Sequence, residues 1–354
     1  MKNFILKIMS FFYGVAIRLR HWLFDMKIIH SEKFNDIPII CVGNITVGGT
    51  GKTPTVEMLV EHYSQTYNVA ILSRGYGRRT KGYREVLVDD NYREVGDEPL
   101  QMKRKFPNTT VVVCEKRAFA IKRIREEFPD VNMIIMDDGF QHRYVEPLVN
   151  IIIIDYNRPV NRDHLLPYGQ LRDTVESLYR ADYFIVTKCP ETMKPFDTRE
   201  RKWLMKKASQ SMFFSRMYPE PSCPIFAEVQ GTVPYGSKVI AMSGIGDSDS
   251  FNRGLEQRYE VVDCINFEDH HSYLVRDVKL MQKLLEENPG AVIMTTEKDA
   301  VKLARSSAIP SEMRNKLFYE KITMLFMDDG RAELFAKIDN DIRNKDNDGY
   351  IKGL

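Results

Sequence analysis

Short apolar runs alternate along most of the chain with longer stretches whose apolar residues recur at helical spacing. This pattern predicts βαβ units and an α/β fold with a mostly parallel sheet. Strands are expected at residues 37–42, 69–73, 110–114, 133–136, 150–154 and 183–187, and helices at 55–63 and 117–127. Runs such as IIIID, ending at Asp155, lack alternation and read as strands buried on both faces. A passage holding Pro219, Pro221, Pro224 and Pro234 marks a hinge or linker. A second, smaller α/β segment is predicted beyond it, with strands at 238–243, 259–263 and 291–295 and a helix at 276–287. After Phe318 come a strand-like stretch, a helix and a tail that reads as frayed. The expected organisation is a helix over 1–27, a main domain over 28–220, a smaller α/β domain over 221–330 that closes a cleft, and a C-terminal helix and tail over 331–354.

Residues 4–24 are apolar enough to need reading one by one. No small-residue cleavage site follows them. A spanning helix needs roughly 20 mostly apolar residues, whereas Lys7, Arg18 and Arg20 leave only 8–17 uncharged. At helical period, Asn3, Lys7, Ser10, Gly14, Arg18, His21 and Asp25 form one stripe, and Phe4, Ile5, Ile8, Phe11, Phe12, Val15, Leu19, Trp22 and Leu23 fill the rest. The segment is an amphipathic helix of the kind that lies in an anionic bilayer interface, although a terminal helix packed on its own core has a similar pattern.

With 43% hydrophobic and 28% charged residues, the composition is that of a globular protein able to bury a large core. A formal net charge of +2 hides two basic patches, one in the first 27 residues and one at 74–84. No nucleic-acid partner is expected, and a monomer is. Five scattered cysteines with no CxxC pair argue against a disulfide framework or a structural zinc and suit a reducing compartment.

The strongest chemical signal is IPIICVGNITVGGTGKTPTVEMLV, a strand running into a glycine-rich turn and then a helix. Thr46, Val47, Gly48, Gly49, Thr50, Gly51, Lys52 and Thr53 would form a phosphate-binding loop. Its glycines let backbone N–H groups curl around phosphate oxygens at a helix N-terminus. Lys52 would bridge the β and γ phosphates of ATP, and Thr53 would offer its hydroxyl to Mg²⁺. Thr46 stands where the strict pattern has glycine. Asp137 and Asp138 follow another apolar strand, at the sheet edge where ligands gather, so one of them can hold Mg²⁺ directly or through water. Arg74, Tyr76 and Arg78, in a loop after a strand, could bind a phosphate of the acceptor or of the nucleotide. The fold class expected is thus a P-loop NTPase-like three-layer α/β domain with a second, smaller α/β domain.

GNITVGGTGKTP, SRGYGR, GDEP, DDGFQHR, LPYGQLRD, VTKC, FEDHHSY and TTEKDAVK occur in this order, and in that respect the chain resembles the tetraacyldisaccharide 4′-kinases over most of its length. The resemblance implies transfer of the γ-phosphate of ATP, with Mg²⁺, to the 4′-hydroxyl of a tetraacyldisaccharide 1-phosphate, giving the 1,4′-bisphosphate lipid A precursor. It implies a lipid disaccharide as substrate and a peripheral or monotopic seat on the cytoplasmic face of the bacterial inner membrane. It implies that Asp97 and His270 act together on the sugar hydroxyl and that Asp137 and Asp138 serve metal and catalysis. Arg172 and Asp173 would lie near substrate and metal, with Asp173 shorter than the glutamate common in the family.

Two other classes compete. A membrane-associated regulatory P-loop ATPase is one; a guanine-specific switch would carry NKxD, where this chain has Thr187, Lys188, Cys189 and Pro190. A soluble small-molecule kinase or ligase is the other, and for it the first helix would be mere packing.

Overall fold

The computed structural model describes residues 2–192 and 204–347. Two sheets organise them. The first has nine strands in the order Ile322–Phe326, Ser211–Pro219, Tyr183–Thr187, Val149–Asp155, Ile39–Gly43, Met133–Met136, Val69–Ser73, Thr110–Val113, Arg84–Glu85, parallel except at its two edges. The β-branched run at 151–154 sits inside it, buried on both faces as its lack of alternation requires. Successive residues of one strand serve opposite cores. Ile40 and Val42 meet helices Lys52–Tyr63 and Gly330–Asn347, while Ile39 and Cys41 meet helix Arg117–Glu127.

The second sheet has five strands, ordered Cys223–Pro224, Leu317–Glu320, Val292–Thr296, Lys238–Ser243, Glu260–Asn266, with its own cores on both faces. The chain enters it after Pro219 and leaves before Ile322. Strand Ile322–Phe326, although within the stretch 221–330, pairs antiparallel with Ser211–Pro219 on the first sheet. Helix Gly330–Asn347 follows it there, burying Leu334, Phe335, Ile338 and Ile342 at helical spacing. Of the tail expected to fray, residues 348–354 lie outside the described residues.

The first helix, Lys2–Asp25, turns a mixed side inward, Ser10, Tyr13, Gly14 and His21 together with the buried Phe24, while Lys7 and Arg18 of its polar stripe stay exposed. Ser10 Oγ donates to the Leu165 carbonyl at 2.8 Å, Arg20 to that of Gln141 at 2.9 Å, and Asp25 accepts from Arg143 at 2.6 Å. Gly14 is buried against Leu165. Phe4, Phe11, Phe12 and Leu19, each more than half exposed, point away from the body. No described helix is long and apolar enough to cross a membrane.

Strand Ile39–Gly43 and the turn after Met133–Met136 approach each other closely at Gly43. A Cβ there would lie 2.6 Å from Phe140 Cβ and 3.0 Å from its backbone nitrogen. Gly43→Ala should therefore force the segment after Asp138 away from the phosphate loop, destabilising the protein by about 1–3 kcal/mol; thermal unfolding checks this, and an unchanged Tm would refute the close approach.

Candidate active site

Parallel strands deliver their carboxyl ends to one edge, and the chemistry collects there. The loop between Ile39–Gly43 and Lys52–Tyr63 needs glycine twice, with φ of 90° at Gly48 and 98° at Gly51. Thr46 takes no left-handed turn. Its extended backbone bridges to Leu171, so a side chain is tolerated where the strict motif has glycine. Asn44 Nδ2 donates to Thr50 Oγ1 at 2.7 Å, and Thr187 Oγ1 to the Thr50 carbonyl at 2.7 Å, which pins the loop to two strand ends. Gly49 is exposed with open space on its Cβ side, and Lys52 and Thr53 begin the helix.

The neighbouring strand Met133–Met136 delivers Asp137 and Asp138. Asp137 is buried, and Oδ2 accepts from Ser73 Oγ at 3.0 Å while Oδ1 has no partner. Burial first, then the charges of Glu98 and Asp138, push its carboxyl up to about 7. Asp138, in the left-handed region at φ 49°, lies 3.8 Å from Lys52 Nζ and accepts from both terminal nitrogens of Arg172, one at 2.8 Å. Burial alone would raise its carboxyl, but Lys52 and Arg172 outweigh it and hold it well below the usual range.

Gly96 turns the chain into helix Asp97–Lys105, so Asp97 opens that helix. The second sheet supplies its partners. His270 Nδ1 stands 2.9 Å from Asp97 Oδ2, Lys302 Nζ 3.4 Å and Lys298 Nζ 3.9 Å from the same oxygen. Lys298 also reaches Glu98 at 3.2 Å and His270 Nε2 at 3.3 Å, which leaves the ring proton on Nδ1, toward Asp97. Burial would raise the Asp97 carboxyl; the His270 hydrogen bond and the two lysines overcome it and depress it strongly. The edges of the two sheets meet again where Lys188 Nζ contacts both Asp155, at 2.9 Å, and Asp247, at 3.0 Å.

The remaining expected residues divide. Arg74 is exposed, and Tyr76 is exposed with its ring 4.9 Å from that of His270. Arg78 braces its own loop through Nη2, which donates to Glu115 and to the Gly82 carbonyl, each at 2.6 Å. Arg172 joins Asp138 as described, whereas the buried Asp173 faces away, to His21 Nε2 at 2.7 Å. Sequence reasoning gave no role to Asn44, Ser73, Arg117, Lys298 or Lys302. The block TTEKDAVK did flag the two lysines by position, but nothing in it told where they point. Arg117 is buried, donates to the Cys114 carbonyl at 2.7 Å and adds its charge beside Asp137 and Asp138.

A phosphate loop beside an acidic strand end, facing an Asp–His pair across a cleft, is what a kinase of a hydroxyl acceptor requires. The family profile described as tetraacyldisaccharide-1-P 4′-kinase matches residues 2–343. The chain belongs to that family. A tetraacyldisaccharide 4′-kinase of Porphyromonas gingivalis is 40% identical over 335 residues, covering 92% of this chain and 93% of that protein. One from Parabacteroides distasonis is 37% identical, covering 97% and 96%. The crystal structure of an "apo" form of LpxK from Aquifex aeolicus in complex with ATP superimposes with a TM-score of 0.70 at 27% identity, covering 96% of this chain and 99% of that one. The protein is thus an ATP-dependent lipid kinase with the P-loop kinase fold expected of it, and a purely regulatory ATPase is not favoured.

The site fits ATP and Mg²⁺ on its own geometry. The open face of Gly49 leaves room for phosphates, and the orphaned Oδ1 of Asp137 is a buried anionic donor whose raised carboxyl a divalent cation would bring back to the charged form.

Because the folded state depresses the Asp97 carboxyl, its contribution to stability is present above the unfolded value of about 3.9 and is lost as pH falls through and below it. Asp97→Asn should therefore lower Tm at about pH 6, with the gap to the parent protein narrowing toward about pH 3. A gap that stayed constant across that range would mean that Asp97 is not held as an ion.

Proposed function

We propose that this kinase moves the γ-phosphate of ATP to the 4′-hydroxyl of a tetraacyldisaccharide 1-phosphate with the residues just described, seated on a membrane surface by its first helix. The observation that carries the residue assignment is the meeting of the phosphate loop and Asp137 with the part that bears His270, close enough for Glu98, beside Asp97, to act on Asp137 and for Gly246 to lie against Gly48.

In this reading the loop Thr46–Thr53 wraps the nucleotide phosphates, and Lys52 follows the charge that builds on them. Asp137 and the Thr53 hydroxyl hold Mg²⁺, which when bound neutralises phosphate charge. Arg172 keeps Asp138 oriented beside Lys52. The acceptor hydroxyl gives its proton to the Asp97–His270 pair. Asp97 orients the imidazole through Nδ1, and its carboxylate stabilises the charge that the pair takes up. Arg74 and Tyr76, exposed at the rim, meet a phosphate or sugar of the acceptor. The part built on the second sheet closes over ATP and sugar and excludes water. The enzyme acts as a monomer.

The outward apolar face of the first helix supports the membrane seat. A helix packed wholly on its own core would bury that face, whereas here Phe4, Phe11, Phe12 and Leu19 stay exposed and Ser10, Arg20 and His21 bond to the body. The side of the membrane proposed is the cytoplasmic face of the inner membrane, where ATP is available.

Lys52→Ala should abolish phosphate transfer to the detergent-dispersed disaccharide, because positioning and charge neutralisation supply most of the catalysis of phosphoryl transfer. Product is read by labelled γ-phosphate, and a normal kcat would remove Lys52 from the mechanism. Deleting residues 2–24 should release the protein from anionic vesicles in a sedimentation assay; continued co-sedimentation would place the anchor elsewhere.

A further inference from the structure

The polar face of the first helix touches the catalytic apparatus as well as the body of the protein. Arg172 donates to Asp138 with both terminal nitrogens, and its own main chain is clamped from two sides. Its N–H donates to the Ile45 carbonyl in the phosphate loop at 2.8 Å, and its carbonyl accepts from Tyr13 Oη of the helix at 3.0 Å. One residue on, Asp173 accepts from His21 Nε2 and from the Thr174 N–H, each at 2.7 Å, with Arg180 Nη2 at 3.5 Å. Arg143 donates to His21 Nδ1 at 3.0 Å, which leaves the ring proton on Nε2, facing Asp173.

We propose that Tyr13 and His21 are positioning residues for phosphoryl transfer: they hold the strap 171–174 against the phosphate loop and so set Arg172 on Asp138. An arginine side chain has many rotamers, and it delivers its paired nitrogens to a carboxylate reproducibly only if its backbone is fixed. Here the fixing points are one carbonyl of the phosphate loop and two side chains of the helix. Asp138 depends on the result, because it sits at φ 49° with Arg172 and Lys52 as its cationic partners. Asp173 is 1% exposed, so it is no surface charge answering a passing histidine. The helix that carries the outward apolar face is in this way also part of the frame of the active site.

The inference rests on the placing of Asp138 and Arg172 in the site proposed above, and the test separates the two. Tyr13→Phe, His21→Ala, His21→Gln and the double variant Tyr13→Phe/His21→Ala are assayed on detergent-dispersed disaccharide, with vesicle sedimentation in parallel. The double variant should lose about 10-fold to 100-fold in kcat, as small misplacements of a catalytic frame do, with KM for both substrates changed less than about twofold and vesicle binding retained. His21→Gln, whose amide nitrogen can still donate to Asp173, should keep most of the activity. In an Arg172→Ala background the same double change should add little further loss, since residues acting through one another are not additive. Full kcat in the double variant, a loss confined to KM, or an undiminished further loss without Arg172 would each overturn the proposal. If the double variant does not fold, Tyr13→Phe alone decides, because it removes one hydroxyl and keeps the ring: an unchanged kcat overturns the proposal. Full activity of Arg172→Ala by itself would instead sink the site assignment on which the inference stands.

Discussion

Two adjacent carboxylates at the end of a buried strand repel one another and resist desolvation, and most of the catalytic edge answers that repulsion. Asp138 is kept ionised by Lys52 and Arg172, with Arg117 adding charge from behind. Asp137 has only the Ser73 hydroxyl, an oxygen without a partner and a carboxyl pushed up to about 7. One acid is thus satisfied by the protein and the other left wanting a cation. Each neutralising group arrives on a different element: Lys52 on the helix after the phosphate loop, Arg172 on the strap, Arg117 on the helix after strand Thr110–Val113. The parallel sheet brings these elements to the same edge, and the pair of aspartates gives them a reason to stay there.

A second group of charges does the corresponding work between the two sheets. Asp97 from the first part meets His270, Lys298 and Lys302 from the second, and Lys188 meets Asp247 in the opposite sense. Breaking a buried pair of this kind leaves an uncompensated charge, so these contacts favour the arrangement in which Asp97 and His270 face the phosphate loop. The Asp97–His270 pair is formed between the two sheets. The pair is thus complete only where the two parts of the chain meet.

What the sequence made legible followed from periodicity and backbone chemistry. The buried strands announced themselves by unbroken β-branched runs, and the phosphate loop by glycines at the two positions that need a left-handed backbone. What stayed hidden depended on contacts between residues far apart in the chain. Nothing local says that Ile322–Phe326 returns to the first sheet, that Asp97 starts a helix against the lysines of TTEKDAVK, or that Arg78 folds back on Glu115. Asp173 is the clearest case. Beside Arg172 it was expected near substrate and metal, and adjacent residues in an extended segment point to opposite sides. One side chain reaches Asp138 and the other the helix.

The first helix carries the same lesson at larger scale. Its amphipathicity was plain, but periodicity cannot say which side turns inward, and here the inward side mixes Ser10, Tyr13, Gly14 and His21 with Phe24 while most of the apolar face stays exposed. What draws the polar side chains in is what the body offers them: carbonyls of Leu165, Arg172 and Gln141 and the carboxylate of Asp173, all polar acceptors that an apolar face could not satisfy. A helix docked by hydrogen bonds keeps its hydrophobic face free for another environment. Because the two faces answer to different partners, substitutions on the apolar face and on the polar face should act on separable quantities, seating in one case and the alignment of Arg172 in the other. In the proposed function the acceptor lies in a bilayer and the donor in water, and a single helix would serve both by giving different side chains to each.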